Sequence, residues 1–290
     1  VGAIDAVGFV GLGHMGNALA SNLVAAGWTV VGHDVAGPGR APAGVRFVPS
    51  LADVARESDA LVWSLPDGDA SEQVARQVAE TPGRRATHVV DTSTIGVAAA
   101  RAVAERLAEA GVGYVDAPVS GGRAGARART LVVMVAGADD ACGHVEPVLA
   151  GLSDRRFRVG DRPGLGQALK LVNNFLSATA LAATSEAIAF GRSMGLEMGT
   201  MLEVLAVSSG RSGAVTDKFP SEILTGRYAS GFSNSLMRKD LRLYLDAAGA
   251  ATEIGFAVAM VWERFAAEEP GVDFTRIYPF VTSRVDDGDG

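Results

Sequence analysis

Two stretches of the sequence carry residues whose types and spacing could do chemistry. The first is Gly11-Leu12-Gly13-His14-Met15-Gly16, a glycine turn of the form G-x-G-x-x-G. The second is Gly164-Leu165-Gly166-Gln167-Ala168-Leu169-Lys170-Leu171-Val172-Asn173-Asn174-Phe175-Leu176-Ser177. Wound on a helix, Lys170, Asn173, Asn174 and Ser177 fall within an arc of roughly 100°. Leu169, Leu171, Val172, Phe175 and Leu176 fill the rest. A narrow polar stripe on an apolar helix is costly unless its groups have partners. It reads as one wall of a cleft, as a satisfied buried network or as a solvated stripe.

The surroundings of the glycine turn give it a mechanism. An apolar strand, Val7 to Val10, runs into it, and a helical pattern through Leu19 and Leu23 follows, closed by Gly27. A second apolar strand, Trp28 to His33, ends in Asp34, 18 residues after Gly16. Gly11 allows the tight turn, Gly13 admits a pyrophosphate and Gly16 lets helix and strand pack closely. The helix N-terminus faces the phosphates and Asp34 faces the ribose hydroxyls. The expected ligand is a dinucleotide, with Gly11, Leu12, Gly13, His14, Met15, Gly16 and Asp34 as its turn and acid.

Downstream, short strands alternate with helices. Ala60 to Leu65 stops at Pro66, Thr87 to Val90 delivers Ser93 and Thr94, and Tyr114 to Ala117 opens into Pro118-Val119-Ser120-Gly121-Gly122. Leu131 to Ala136 and Phe157 to Val159 complete the series. This order predicts a doubly wound, mainly parallel sheet of Rossmann type, whose ligands lie at the carboxyl ends of the strands. Leu65, Pro66 and Thr94 therefore stand beside the dinucleotide. Successive backbone N–H groups at Ser120, Gly121 and Gly122 can cradle an anion or form a plain loop. From Gly164 onward only helical patterns remain, over about 165–192, 197–208, 236–250 and 252–267. The expected organisation is a dinucleotide-binding domain over 1–162 and an all-helical domain over 163–290, joined by the long helix at about 165–192.

Composition excludes several classes. A net charge of -7 argues against bulk nucleic-acid binding. One cysteine, Cys142, leaves no internal disulfide and fits a reducing compartment. No apolar run reaches membrane-spanning length and no basic leader precedes an apolar core, so a cytoplasmic protein is expected. His14, His33, His88 and His144 look isolated, and no metal site is expected. The end, from Val285 on, reads as disordered.

With these residues in view the chain resembles the β-hydroxyacid dehydrogenase family, which includes 3-hydroxyisobutyrate dehydrogenases and tartronate semialdehyde reductases. Four motifs carry the resemblance: the glycine turn continued by Ala20, Asn22, Leu23 and Gly27; Asp116-Ala117-Pro118-Val119-Ser120-Gly121-Gly122; Gly164-Leu165-Gly166 with Lys170, Asn173 and Asn174; and Lys239-Asp240-Leu241. The resemblance implies that Lys170 is the catalytic acid/base, that Ser120, Gly121, Gly122 and Asn174 hold the substrate, and that Lys239 lies beside the cofactor. It implies an NAD-dependent oxidoreductase interconverting a small 3-hydroxy acid and its semialdehyde or keto acid. Hydride transfer from an alcohol needs a base for the hydroxyl proton, and a lysine serves near neutral pH if burial or positive charge lowers its pKa. Asp34 favours NAD over NADP, with Arg40 as the counter-argument. The expected partners are a small carboxylate substrate and further copies of the chain, as a homodimer or homotetramer.

One departure stands out: Arg129 occupies a position where the family has glycine. If that position needs a positive φ, arginine strains or reshapes the turn. With Arg123 and Arg127 it makes a basic loop, read as a solvated face or as an aid to a second anionic group. The competing readings are a non-catalytic dinucleotide-binding scaffold and a related reductase acting on another carbonyl or on an imine.

Overall fold

The computed structural model describes residues 3–249 and 252–286. In chain order the first part runs β1 (Ala6–Val10), α1 (His14–Ala25), β2 (Thr29–His33), β3 (Val45–Phe47), α2 (Leu51–Glu57), β4 (Ala60–Trp63) and α3 (Gly68–Ala79). It continues β5 (His88–Asp91), α4 (Val97–Glu109), β6 (Gly113–Asp116), β7 (Val119–Ser120), α5 (Gly122–Arg127), β8 (Val132–Ala136), α6 (Asp139–Leu152) and β9 (Arg155–Gly160). The helical part is α7 (Leu165–Ser193), α8 (Met198–Val207), a π-helical segment Ala214–Ile223, α9 (Asn234–Ala248), α10 (Glu253–Glu268) and α11 (Ile277–Asp286).

The strands form one sheet in the order β3-β2-β1-β4-β5-β6-β8-β7, with β9 on β8. From β3 to β6 every pair is parallel, which is the dinucleotide-binding order. β8 runs antiparallel to β6 and β7. The return through β7 and α5 brings the chain back along β6 and β7 in the opposite direction. The helix α5 is not anticipated by the sequence: Ser120 ends a two-residue strand and Gly122 opens the helix.

The sheet is covered on both faces, so its central strands read as continuous apolar runs. Val7, Phe9, Val62, Val90 and Val115 join one core with Leu19, Leu23, Val145 and Leu149. Val10, Leu61, Trp63 and Val89 join the other with Val54, Val78, Val103 and Leu107. A third core lies within the helical part, around Trp262, Phe265, Phe219 and Phe274.

The chain separates into two compact units, Val1–Lys170 and Leu171–Gly290, so the beginning of α7 belongs with the sheet. Among the described residues no helix is long and apolar enough to cross a membrane. Val285 and Asp286, expected to be disordered, end α11. The remainder of that expectation, 287–290, lies outside the described residues, as does 250, the last residue of an expected helix.

Candidate active site

Parallel register aligns the carboxyl ends of β1 and β2, with Val10 opposite His33. Gly11 and Asp34 therefore leave the sheet side by side. Asp34 is held on both oxygens: Leu12 N–H donates to Oδ2 at 2.6 Å and Ala36 N–H to Oδ1 at 2.8 Å. A carboxylate oxygen has two lone pairs, so this grip leaves capacity for ribose hydroxyls.

The three glycines of the turn differ in what they face. Gly11 has φ +83°, and a Cβ on Gly16 would lie 1.8 Å from the Gly11 carbonyl oxygen. A Cβ on Gly13 would meet nothing within 4 Å. Packing thus accounts for Gly16, whereas Gly13 opens onto free space at the N-terminus of α1. No side chain caps that end and its first turn carries no acid. An uncapped, unopposed helix N-terminus behind an open glycine fits a pyrophosphate. Leu12 and Met15 turn their side chains into the core, and His14 is exposed.

Leu65 and Pro66 follow β4, and Ser93 and Thr94 follow β5. Leu65 N–H donates to Ser93 Oγ at 2.8 Å, which ties the two loops together. Ser93 is buried and Thr94 only half-buried. Ser120, at the end of β7, is also half-buried, and Gly121 and Gly122 follow with φ +133° and +66°.

Lys170 is placed by a network that spacing alone does not reveal. Gln167 is fully buried: its Oε1 accepts from Ile95 N–H and Gly96 N–H at 3.0 and 3.2 Å, and its Nε2 donates to Ser93 O at 3.0 Å. Asp116, at the end of β6, accepts from Gly164 N–H at 3.1 Å and Gln167 N–H at 2.9 Å. Burial pushes the Asp116 carboxyl up to about 6, against the pull of those two N–H groups and with the help of the Asp91 charge. A Cβ on Gly166 would lie 2.6 Å from Met134 O, so only glycine lets α7 start this close to the sheet. Lys170 follows three residues after Gln167 and is 7% exposed.

In the helical unit, Asn174 is buried and linked on both sides. Its Nδ2 donates to Asp240 Oδ2 at 2.6 Å, and its Oδ1 accepts from Asn173 Nδ2 at 3.0 Å. Lys239 Nζ lies 3.4 Å from Asp240 Oδ1. Asp240 is thus the hub that joins Asn174 to Lys239. In the polar stripe of α7 Lys170 and Asn174 are buried and Asn173 and Ser177 half-buried, while Leu169, Val172 and Leu176 of its apolar arc are exposed.

Other residues move away from their expected roles. Arg129 has φ +57° and donates to Ala150 O and Gly151 O at 2.9 and 3.0 Å, so it caps the end of α6 instead of joining a solvated face. His88 and His144 are not isolated, since their ring centroids lie 4.1 Å apart. Burial, and next the His144 charge, hold His88 below the ordinary imidazole range. Among the described residues no group of three or more His, Cys, Asp or Glu could hold a metal.

Comparison with known proteins agrees with this arrangement. The family model described as the NAD binding domain of 6-phosphogluconate dehydrogenase matches residues 6–160. The one described as NAD-binding of NADP-dependent 3-hydroxyisobutyrate dehydrogenase matches residues 164–281. A 2-(hydroxymethyl)glutarate dehydrogenase of Eubacterium barkeri is 37% identical over 83% of this chain and 81% of its own. A probable 3-hydroxyisobutyrate dehydrogenase of Mycobacterium tuberculosis is 33% identical over 97% of this chain and 99% of its own. A solved structure of 3-hydroxyisobutyrate dehydrogenase from that organism, with L-serine, superposes with a TM-score of 0.89 at 33% identity, covering 96% of this chain and 99% of that one. With the glycine turn and Asp34 on the sheet, Lys170 anchored at its edge and relatives matched over nearly the whole length, the chain belongs to the β-hydroxyacid dehydrogenase family of NAD(P)-dependent oxidoreductases.

Proposed function

We propose that this protein interconverts a small 3-hydroxy acid and its semialdehyde or keto acid, with NAD preferred over NADP and Lys170 as the acid/base. The observation that carries the reading is Lys170, 7% exposed, on a helix start fastened to the carboxyl edge of the dinucleotide-binding sheet through Gln167 and Asp116. A bound nicotinamide supplies the hydride acceptor. The Lys170 amine takes the hydroxyl proton as the carbon–hydrogen pair leaves as hydride, and returns it to the carbonyl oxygen in the reverse direction. Ser120 and the N–H groups of Gly121 and Gly122 hold the substrate carboxylate. Asn174, its amide oriented by Asp240 and Asn173, positions the hydroxyl, and Lys239 contributes positive charge through the same hub. The names of the relatives, dehydrogenases of 3-hydroxyisobutyrate and of 2-(hydroxymethyl)glutarate, support a substrate with a carboxylate and a β-hydroxyl. The protein acts as a homo-oligomer in the cytoplasm.

The test is NADH production from NAD with a panel of small 3-hydroxy acids, in wild type and Lys170→Ala. The variant should lose about 10²–10⁴ in kcat, the range for removing a general acid/base. Its NAD affinity should stay within about twofold, because the dinucleotide rests on the glycine turn and Asp34. Near-normal kcat in Lys170→Ala overturns the role of the lysine. Tight NAD binding with no turnover on any hydroxy acid overturns the enzyme reading in favour of a binding scaffold.

A further inference from the structure

Asp116 ends β6 and is fully buried, and directly opposite it on β5 lies a second fully buried carboxylate, Asp91. Paired residues of parallel strands present their side chains on one face of the sheet. The two acids differ in what holds them. Asp91 accepts from Ser93 N–H at 2.8 Å, from the Tyr114 hydroxyl at 3.1 Å and from the Ser71 hydroxyl at 3.4 Å. Asp116 instead turns both oxygens to the start of α7. Its Oδ1 accepts from Gly164 N–H and its Oδ2 from Gln167 N–H. A Cβ on Gly166 would lie 2.7 Å from that same Oδ2, so the helix start sits directly on the carboxylate. Lys170 follows Gly166 by about one turn of the helix.

A carboxylate with one N–H on each oxygen is a grip that depends on ionisation. Protonation turns one oxygen into a hydroxyl, a donor that competes with the N–H it faced, and takes the charge out of both bonds. Burial pushes the Asp116 carboxyl up to about 6; the two N–H groups pull against it and the Asp91 charge adds to it. Asp91 is also raised by burial, but its hydrogen bonds pull it down and do not involve α7. Tyr114 of β6 is raised well above the ordinary phenol range by burial and then by the Asp91 charge. Cys142 of α6 is pushed up to about 11 by burial and, after it, by the Asp116 charge, against Arg158 of β9. Both therefore stay protonated where Asp116 titrates. Arg101 of α4 flanks Gly164, its Nε 3.5 Å from where a Cβ there would stand, and stays a cation. Along α7 the first ionisable side chain is Lys170 itself.

We propose that Asp116 is a positioning residue for Lys170: ionised, it holds the start of α7 on the sheet, and protonated, it releases that start and moves the lysine out of place. Acid then weakens hydride transfer in both directions. The inference rests on the reading of Lys170 as the acid/base, and the reductive direction separates the two. A lysine acid becomes more fully protonated, and so more competent, as pH falls, and a loss of reduction in acid belongs to another group. Linkage supplies a second mark. The folded chain binds the Asp116 proton more tightly than the unfolded chain, so ionisation lowers global stability as pH rises from about 4 through about 6. Through this group activity and stability move in opposite directions, whereas a merely structural role would move them together.

Reduction by saturating NADH is followed from about pH 5 to about pH 8 in wild type, Asp116→Asn and Asp91→Asn. The substrate is the semialdehyde formed from 3-hydroxyisobutyrate, or from the best 3-hydroxy acid of the panel, at saturation. Amide hydrogen exchange over 164–170 and the melting temperature are measured on the full chain at each pH. Wild-type kcat should fall about tenfold from about pH 7 to about pH 5, as a single group at about 6 requires. Protection of the Gly164 and Gln167 amides, corrected for intrinsic exchange, should fall with the same midpoint. Asp116→Asn should hold kcat at the acid level at every pH, with those amides unprotected, and its melting temperature should gain on wild type as pH rises. Asp91→Asn removes the neighbouring charge and should lower the midpoint of both profiles, which keeps the test open if Asp116→Asn does not fold. A flat wild-type reductive kcat over this range, or protection at Gly164 and Gln167 that does not change with pH, overturns the proposal. No turnover at any pH counts against the hydride-transfer reading instead, and hydrogen exchange in wild type and Asp91→Asn still decides whether Asp116 holds the helix start.

Discussion

Arg129 shows how one side chain can offset an unfavourable backbone. Its φ of +57° is a conformation glycine adopts freely and arginine does not. The guanidinium compensates by donating to Ala150 O and Gly151 O at the end of α6, with Asp154 3.6 Å away. Arg129→Ala keeps the backbone cost and loses these bonds, so it should destabilise by about 1–2 kcal/mol. Arg129→Gly loses the same bonds but relieves the backbone, and should be the more stable of the two by about 1 kcal/mol. Urea denaturation of both variants checks the order, and an alanine variant at least as stable as the glycine one would show that φ carries no cost here. Asp34 is expected to act on the cofactor in a comparable, single-residue way. Its carboxylate, fixed by Leu12 N–H and Ala36 N–H, would face the two negative charges of a 2′-phosphate. Wild type should favour NAD at least about tenfold in kcat/KM, and Asp34→Ser should lose most of that margin. Equal or better kcat/KM with NADP in wild type would mean that Arg40 outweighs the carboxylate.

At the scale of the element, α7 is a long helix whose start is determined by buried polar contacts more than by its own sequence. Gln167 satisfies two N–H groups of the β5–α4 loop and a carbonyl of the same loop, and Asp116 satisfies two N–H groups of the helix start. Gln167→Ala leaves those loop groups buried without partners, at about 1–3 kcal/mol each before relaxation. The variant should be destabilised by about 3 kcal/mol. In the fraction that remains folded kcat should fall while NAD affinity holds, because Lys170 shifts and the glycine turn does not. Unchanged kcat in Gln167→Ala would show that the anchor does not set the position of the lysine. The motif Gly164-Leu165-Gly166 is legible as a helix start, and Gly166 is explained by the sheet carbonyl behind it. Gln167 sits inside the same stretch, but a glutamine in a first helical turn is common on surfaces. Its partners lie 71 to 74 residues away in sequence.

For the whole molecule, the exposed apolar side chains are the feature a single chain does not account for. Leu176 is 60% exposed, Phe190 68% and Val207 87%, all in the helical unit, with Met194, Ile254 and Met260 similarly open. Apolar surface of this extent is covered in most proteins by a partner, and closed symmetric assemblies are the common solution. Static light scattering at micromolar concentration should return two or four times the 29.8 kDa of one chain. Charging the open stripe of α7, as in Val172→Glu/Leu176→Glu, should shift the assembly toward the single chain. A 29.8 kDa particle in wild type would overturn the oligomer.

The sequence by itself determined whatever depends on neighbours along the chain. Alternating apolar runs and helical periods specified the parallel sheet and the helical half. The glycine turn with Asp34 specified a dinucleotide site, because a turn, a helix start and a strand end are adjacent in sequence. The stripe of Lys170 and Asn174 was visible because helical spacing is local. Tertiary structure decided what depends on the return of distant segments. Spacing left open whether that stripe or the leucines beside it would be buried, since both fill one helix and only the neighbours choose the face. The reversal of β8, the pairing of Asn174 with Asp240, the His88–His144 contact and the placing of Asp91 opposite Asp116 are of the same kind. Each joins residues whose separation in sequence carries no periodic signal, and each is settled by where the sheet and the helix packing place the backbone.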